Sequence, residues 1–117
     1  MMNRMMTSVA VLGLAASCAT VPIPAFQLER AEASMRGAEE VGALNVPAAR
    51  LHLQLAKDET ETAKKMAAKG DDRAQLVMAR AESDAELALG LAREFAMHND
   101  ALRASEDLKA LRARGNP

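Results

Sequence analysis

Small residues recur every three to four positions along most of this chain, and few of its side chains are large enough to fill a wide core. Alanine takes 26 of the 117 positions, against two Phe and no Trp or Tyr. Alanine is the best helix former, and Leu, Met, Glu, Lys and Arg follow it because they lose little rotamer freedom in a helix. β-Branched and aromatic residues are too sparse to build a sheet. The expected fold is all-α: an antiparallel, alanine-rich helical hairpin or three-helix bundle with a long C-terminal helix.

Charge and cysteine content narrow the function classes. Formal net charge is −1, with no basic stripe and no aromatic platform, so no nucleic-acid partner is expected. The single cysteine, Cys18, excludes an internal disulfide and a Cys-based zinc cage.

The position of that cysteine suggests its use. Met1 to Arg4 is a short, positively charged start, Met5 to Ala16 is apolar, and Ala15, Ala16 and Ser17 precede Cys18. This is the layout of a secretory signal peptide. The run Leu14-Ala15-Ala16-Ser17-Cys18 resembles the lipobox of bacterial lipoproteins, although Ala15 stands where Leu is commoner. That resemblance implies a cleaved signal peptide over 1–17, acylation of the Cys18 thiol and, with Ala19 next, an outer-membrane address facing the periplasm in a Gram-negative cell. Two other readings compete. Cys18 is an ordinary small hydrophobe in a signal peptide cut elsewhere, or Met5 to Val21 stays in the bilayer as a short span that Pro22 and Pro24 terminate.

Residues 18–25 form the expected anchor and tether, because Pro22 and Pro24 disfavour helix. A helical domain is expected over 26–114, in helices of about 26–42, 47–69 and 72–114. In the first, Leu28, Ala31, Met35, Ala38 and Val41 share a face, and Gly42 supplies a stop. Pro47 opens the second, with Ala48, Leu51, Leu55, Thr62 and Met66 on one stripe and Leu53, Ala56, Ala63 and Ala67 on another. Lys69-Gly70-Asp71-Asp72 reads as a tight turn in which Asp caps the next helix, making the flanking helices antiparallel neighbours. The third carries a seam of Ala74, Val77, Ala81, Ala85 or Asp84, Ala88, Leu91 and Phe95, and His98-Asn99-Asp100 offers a place for a break. No strict internal repeat is evident.

The stretch from Leu28 to Ala92 resembles the bacterial domain of unknown function 4398. The likeness rests on the alanine rhythm of LERAEASMRGA, the central Pro47, the helix ARLHLQLAKDETETAKKMAAKGD, the turn at Gly70-Asp71, and AQLVMARAESDAELALGLA. It implies a secreted or lipid-anchored helical protein and carries over no functional residues. Some members of that family are joined to a peptidoglycan-binding domain, which this chain does not show.

Candidates for chemistry are few. His52 and His98 lie on different helices without metal-site spacing and read as solvated or boundary residues. Met97-His98 with Met66 and Met78 has the donor types of a copper site, but Met at helical spacing is usually core filler. Glu82, Asp84 and Glu86, near Asp71 and Asp72, read as a solvated acidic surface. No catalytic residue, metal, cofactor or small-molecule substrate is expected.

The expected role is that of a lipid-anchored, non-enzymatic structural or adaptor module of the cell envelope; the alternative is a periplasmic chaperone or client-binding protein. The second helix is too short to cover the third beyond about Phe95. Residues 96–114 therefore form an overhang whose Leu102, Leu108 and Leu111 are expected to make an apolar strip for a protein partner or for self-association.

Overall fold

The computed structural model describes residues 22–115. Three helices are present and, among the described residues, no strands: α1 (Ala25–Glu40), α2 (Pro47–Ala68) and α3 (Ala74–Arg114), with a 3-10 turn (Ala43–Asn45) between α1 and α2. The fold is all-α, a bundle of three helices extended at one end by the 41-residue α3.

The turns follow from backbone chemistry. Gly42 sits at φ 94° and Gly70 at φ 73°, in the left-handed region that costs a residue without Cβ nothing. At Gly70 the closure is complete, since Gly70 N–H donates to Ala67 O and Asp71 N–H to Met66 O, both at 3.0 Å. Val46 is extended ahead of Pro47, which opens α2 where no N–H is needed.

The observed ends differ from expectation by one or two residues. The first helix ends at Glu40, not residue 42, because Gly42 already turns the chain. α2 ends at Ala68 with Lys69 as its cap. α3 begins at Ala74, not Asp72: Asp71, not Asp72, accepts the Arg73 N–H at 3.0 Å, and the two residues after Asp71 complete a turn. The Arg73 guanidinium on the same carboxylate holds Asp71 down to about 2. There is no break at His98-Asn99-Asp100, through which α3 runs uninterrupted.

Cross-helix pairs fix the directions. Between α1 and α3, Pro22 meets Gln75 and Arg30 meets Glu82, so partner numbers rise together and the helices are parallel. α2 is antiparallel to both, pairing Glu59 with Arg80 and His52 with Asp84 on α3, and Lys64 with Glu32 and Lys57 with Glu39 on α1.

The core is a seam of small side chains. α1 buries Ala31, Met35 and Ala38; α2 buries Ala49, Leu53, Ala56, Thr60 and Ala63; α3 buries Ala74, Met78, Ala81, Ala85, Ala88 and Ala92. Thr60 satisfies its buried hydroxyl by donating to Ala56 O at 2.7 Å. On α2 and α3 these positions alternate four and three apart, a heptad spacing that the reading of the bare sequence missed. Leu53 and Met78 are the only large side chains fully buried among the described residues, and each contributes roughly 1.5–3 kcal/mol.

Two expected faces are corrected. Leu51, Leu55, Ala48 and Thr62 of α2 are exposed and Met66 is half-buried, so that stripe lies outside the bundle; of the other stripe, Leu53, Ala56 and Ala63 are core. On α3, Val77 and Leu91 flank the seam half-buried, Met78 and Ala92 take the central positions, and Phe95 is 47% exposed. Backbones brought together by alanines leave no central room for larger side chains, which move to the flanks.

Candidate interaction surface

Charged side chains line the edges of the seam. Glu82, 13% exposed, accepts from Arg30 at 2.7 Å toward α1, and Asp84 meets the His52 ring at 2.7 Å toward α2. Arg80 reaches Glu59 at 3.1 Å beside them. The acidic group is thus corrected: Glu82 is half-buried in an interhelical ion pair, Asp84 is half-buried against the His52 ring, and Glu86 and Asp72 are solvated surface. Burial pushes the Glu59 carboxyl above its ordinary value, Arg80 pulls it down and Asp84 pushes it further up. His52 is likewise a paired boundary residue, a partnership sequence spacing alone does not reveal.

These groups do not converge on chemistry. Ser83, on the same flank, donates its hydroxyl to its own helix at Ala79 O. Among the described residues, no group of three His, Cys, Asp or Glu side chains is placed to hold a metal. His98 lies fourteen residues beyond Asp84 on one helix, roughly 21 Å from the His52 pair. Met78 is sealed in the core, Met66 is half-buried near the Gly70 turn and Met97 is 70% exposed toward the opposite end, so the thioethers are not brought together.

The α1–α2 connection covers α3 only as far as Asn99. Two shallow hollows flank it: one of about 420 Å³ lined by Val46, Leu91, Glu94, Phe95 and His98, and one of about 220 Å³ in which Val41, Gly42 and Asn45 face Phe95, Asn99 and Arg103. From Asp100 onward every described residue is exposed. The overhang therefore begins at residue 100 rather than 96, and its 100–114 portion is roughly 22 Å long.

Leu102, Leu108 and Leu111 are 50%, 54% and 62% exposed, as an overhang requires. They do not form one strip. Nine residues separate Leu102 from Leu111, which is two and a half turns at 3.6 residues per turn, so the two point to opposite sides. Leu102 follows Phe95 by seven residues and continues the bundle-facing side. Leu108 and Leu111 belong to another face, shared with Met97, Ala101 and Ala104 at alternating spacings of four and three. Ala101 stands nine residues after the buried Ala92, so this face is turned away from α1 and α2.

Cys18, the signal peptide expected over 1–17 and residues 18–21 of the expected anchor and tether lie outside the described residues. Among the described residues, no helix is long and apolar enough to cross a membrane. No family model, curated protein or solved structure matches the chain.

Proposed function

We propose that this chain is a lipid-anchored, non-enzymatic helical module of the cell envelope that presents the distal part of α3 to a protein partner. The observation that carries the reading is the continuous exposure of α3 from Asp100, with Leu102, Leu108 and Leu111 all at least half exposed. A lone helix of that length is marginal in water, so association would stabilise it. The anchor rests on the apolar run ending in Ala15-Ala16-Ser17-Cys18, and the outer-membrane address on Ala19.

The parallel course of α1 and α3 gives the anchor a use. Pro22 O accepts from Gln75 Nε2 at 3.2 Å, so a tether from Cys18 enters beside the start of α3. The distal segment then lies at the opposite end, roughly 60 Å along the helix and away from the lipid. The bundle serves as the spacer.

A fatty-acid probe fed to bacterial cells expressing the full chain should label the wild type and not Cys18→Ser. In the same cells, a photo-cross-linker at position 108 should capture a discrete protein partner, and truncation after Asn99 should abolish the cell-envelope phenotype. Equal labelling of both chains removes the anchor, and a phenotype that survives truncation removes the distal segment as the functional element. Suppressed aggregation of unrelated unfolded proteins, with no discrete cross-link, would replace the adaptor reading with a client-binding one.

A further inference from the structure

The outer face of distal α3 carries a pattern that identifies its occupant. Met97, Ala101, Ala104, Leu108, Leu111 and Gly115 repeat the four-three spacing by which α2 and α3 pair inside the bundle, but on the side facing away from it. All six are exposed, Met97 at 70%. Met, Ala, Ala, Leu, Leu, Gly is also self-complementary when reversed. Laid antiparallel on a copy of itself, Met97 meets Gly115, Ala101 meets Leu111 and Ala104 meets Leu108, so every layer joins a large side chain to a small one. A parallel pairing would stack Ala on Ala in two layers and leave them underfilled.

We infer that this face is a self-association site in which two copies overlap the distal parts of α3 antiparallel, a conclusion that rests on the partner-presenting role proposed above and names the partner as a second copy. Charge runs the same way. Residues 100–107 carry Asp100, Glu106 and Asp107 against one cation, Arg103, whereas 109–114 carry Lys109, Arg112 and Arg114 and no carboxylate. Antiparallel overlap lays the acidic stretch of each copy on the basic stretch of the other and brings Asp100 beside Arg114 of the second copy. The same polarity favours any helix through its dipole, so the alternation of sizes decides the pairing and charge supports it. Asp107 is the exception, because antiparallel overlap sets it near the twofold axis facing its own copy. In a parallel pair it would face Arg112 instead. The bundles then project to opposite sides of the overlap, so the two tethered ends lie at opposite ends of the dimer and both reach one membrane with α3 running along its surface. Closed twofold pairing stops at a dimer.

Sedimentation of the full chain carrying Cys18→Ser should show a concentration-dependent dimer. Leu108→Glu and Leu111→Glu should each weaken it at least tenfold with helical content unchanged, since neither touches the bundle. Leu102→Ser, on the other side of the helix, should leave it unaltered. Asp107→Asn should tighten the dimer; weakening by that substitution would mean a parallel pair. Mixed Ala104→Cys and Leu108→Cys chains should yield the 104–108 heterodisulfide in preference to 104–104. A chain that stays monomeric at all accessible concentrations, or homodisulfides alone, overturns the inference. In-cell capture of a different protein from position 108 would overturn it too while leaving the adaptor reading standing.

Discussion

One helix, α3, holds two segments similarly rich in alanine and leucine and opposite in circumstance. From Ala74 to Ala92 its seam alanines are buried against α1 and α2; from Asp100 to Arg114 every residue is exposed. Both carry alanines at heptad spacing, so propensity does not distinguish them. They differ in which way the apolar side points. The inner positions that hold Ala81, Ala85 and Ala88 in the bundle are continued by Phe95, Asn99, Leu102, Glu106 and Lys109, a mixed series, while an unbroken apolar one starts half a turn round at Met97. A helix changes its apolar side where its neighbour changes, and here that point is the α1–α2 connection.

The largest contrast should appear in amide hydrogen exchange on dilute full chain. Amides of 78–92 should exchange only by global unfolding, those of 103–114 by local fraying, a gap of about 5 kcal/mol or more. Equal protection at all concentrations would end the comparison, and distal protection that grows with concentration would sharpen it. Next in size, Ala88→Glu or Ala81→Glu should destabilise the bundle by about 3–4 kcal/mol, since each forces a charge into the seam. Ala104→Glu should leave the thermal midpoint of dilute protein unchanged, and similar effects at both sites would mean that the distal segment packs on the bundle after all. Leu53→Ala should cost about 2–3 kcal/mol in denaturant melts, against almost nothing for Leu102→Ala.

The smallest effect concerns Glu59. Its folded carboxyl titrates above its ordinary 4.5 because burial penalises the charge. The folded state therefore holds the proton more tightly than the unfolded chain. This group's contribution to stability rises as pH falls through the folded value and levels off below 4.5. Glu59→Gln should flatten that slope in a pH series of melts while shifting the neutral-pH midpoint only slightly. A steeper slope in the variant would mean the Arg80 pair outweighs burial.

The sequence made the helices legible because their punctuation is chemical: Gly42, Pro47 and Gly70 permit few alternatives. The packed faces were less legible. A reading weighted by hydrophobicity adds a packed stripe through Leu51 and Leu55 to the one through Leu53, Ala56 and Ala63; the second is core, the first is exposed, and Ala49 and Thr60 complete the buried face. In a seam set by alanines the bulky residue goes to the flank, an outcome that depends on helix spacing, which sequence does not state. The same bias grouped Leu102 with Leu108 and Leu111, and counting turns separates them. His52 with Asp84 and Arg80 with Glu59 join residues on separate helices, visible only once their alignment is known.

Those ion pairs have a consequence beyond their modest individual energies. Alanine rungs are nearly interchangeable, so sliding α3 by one heptad along its neighbours would again set Ala88 and Ala92 where Ala81 and Ala85 now stand. Met78 breaks the monotony at one end of the seam, and at the other the same slip would carry Phe95 and Asn99 into the buried places of Ala88 and Ala92. The charges are not interchangeable. After such a slip His52 would face Leu91 in place of Asp84, Glu59 would face Leu87 in place of Arg80, and Arg30 would face Leu89 in place of Glu82. The shielded carboxylates Glu82, Asp84 and Glu59 would lose their partners at once, a larger penalty than any one pair contributes when formed. The electrostatic fringe thus adds a second register key to the one that Met78, Phe95 and Asn99 supply at the ends of an otherwise uniform seam, and salt, by screening it, would narrow the gap between the native alignment and its slipped rivals.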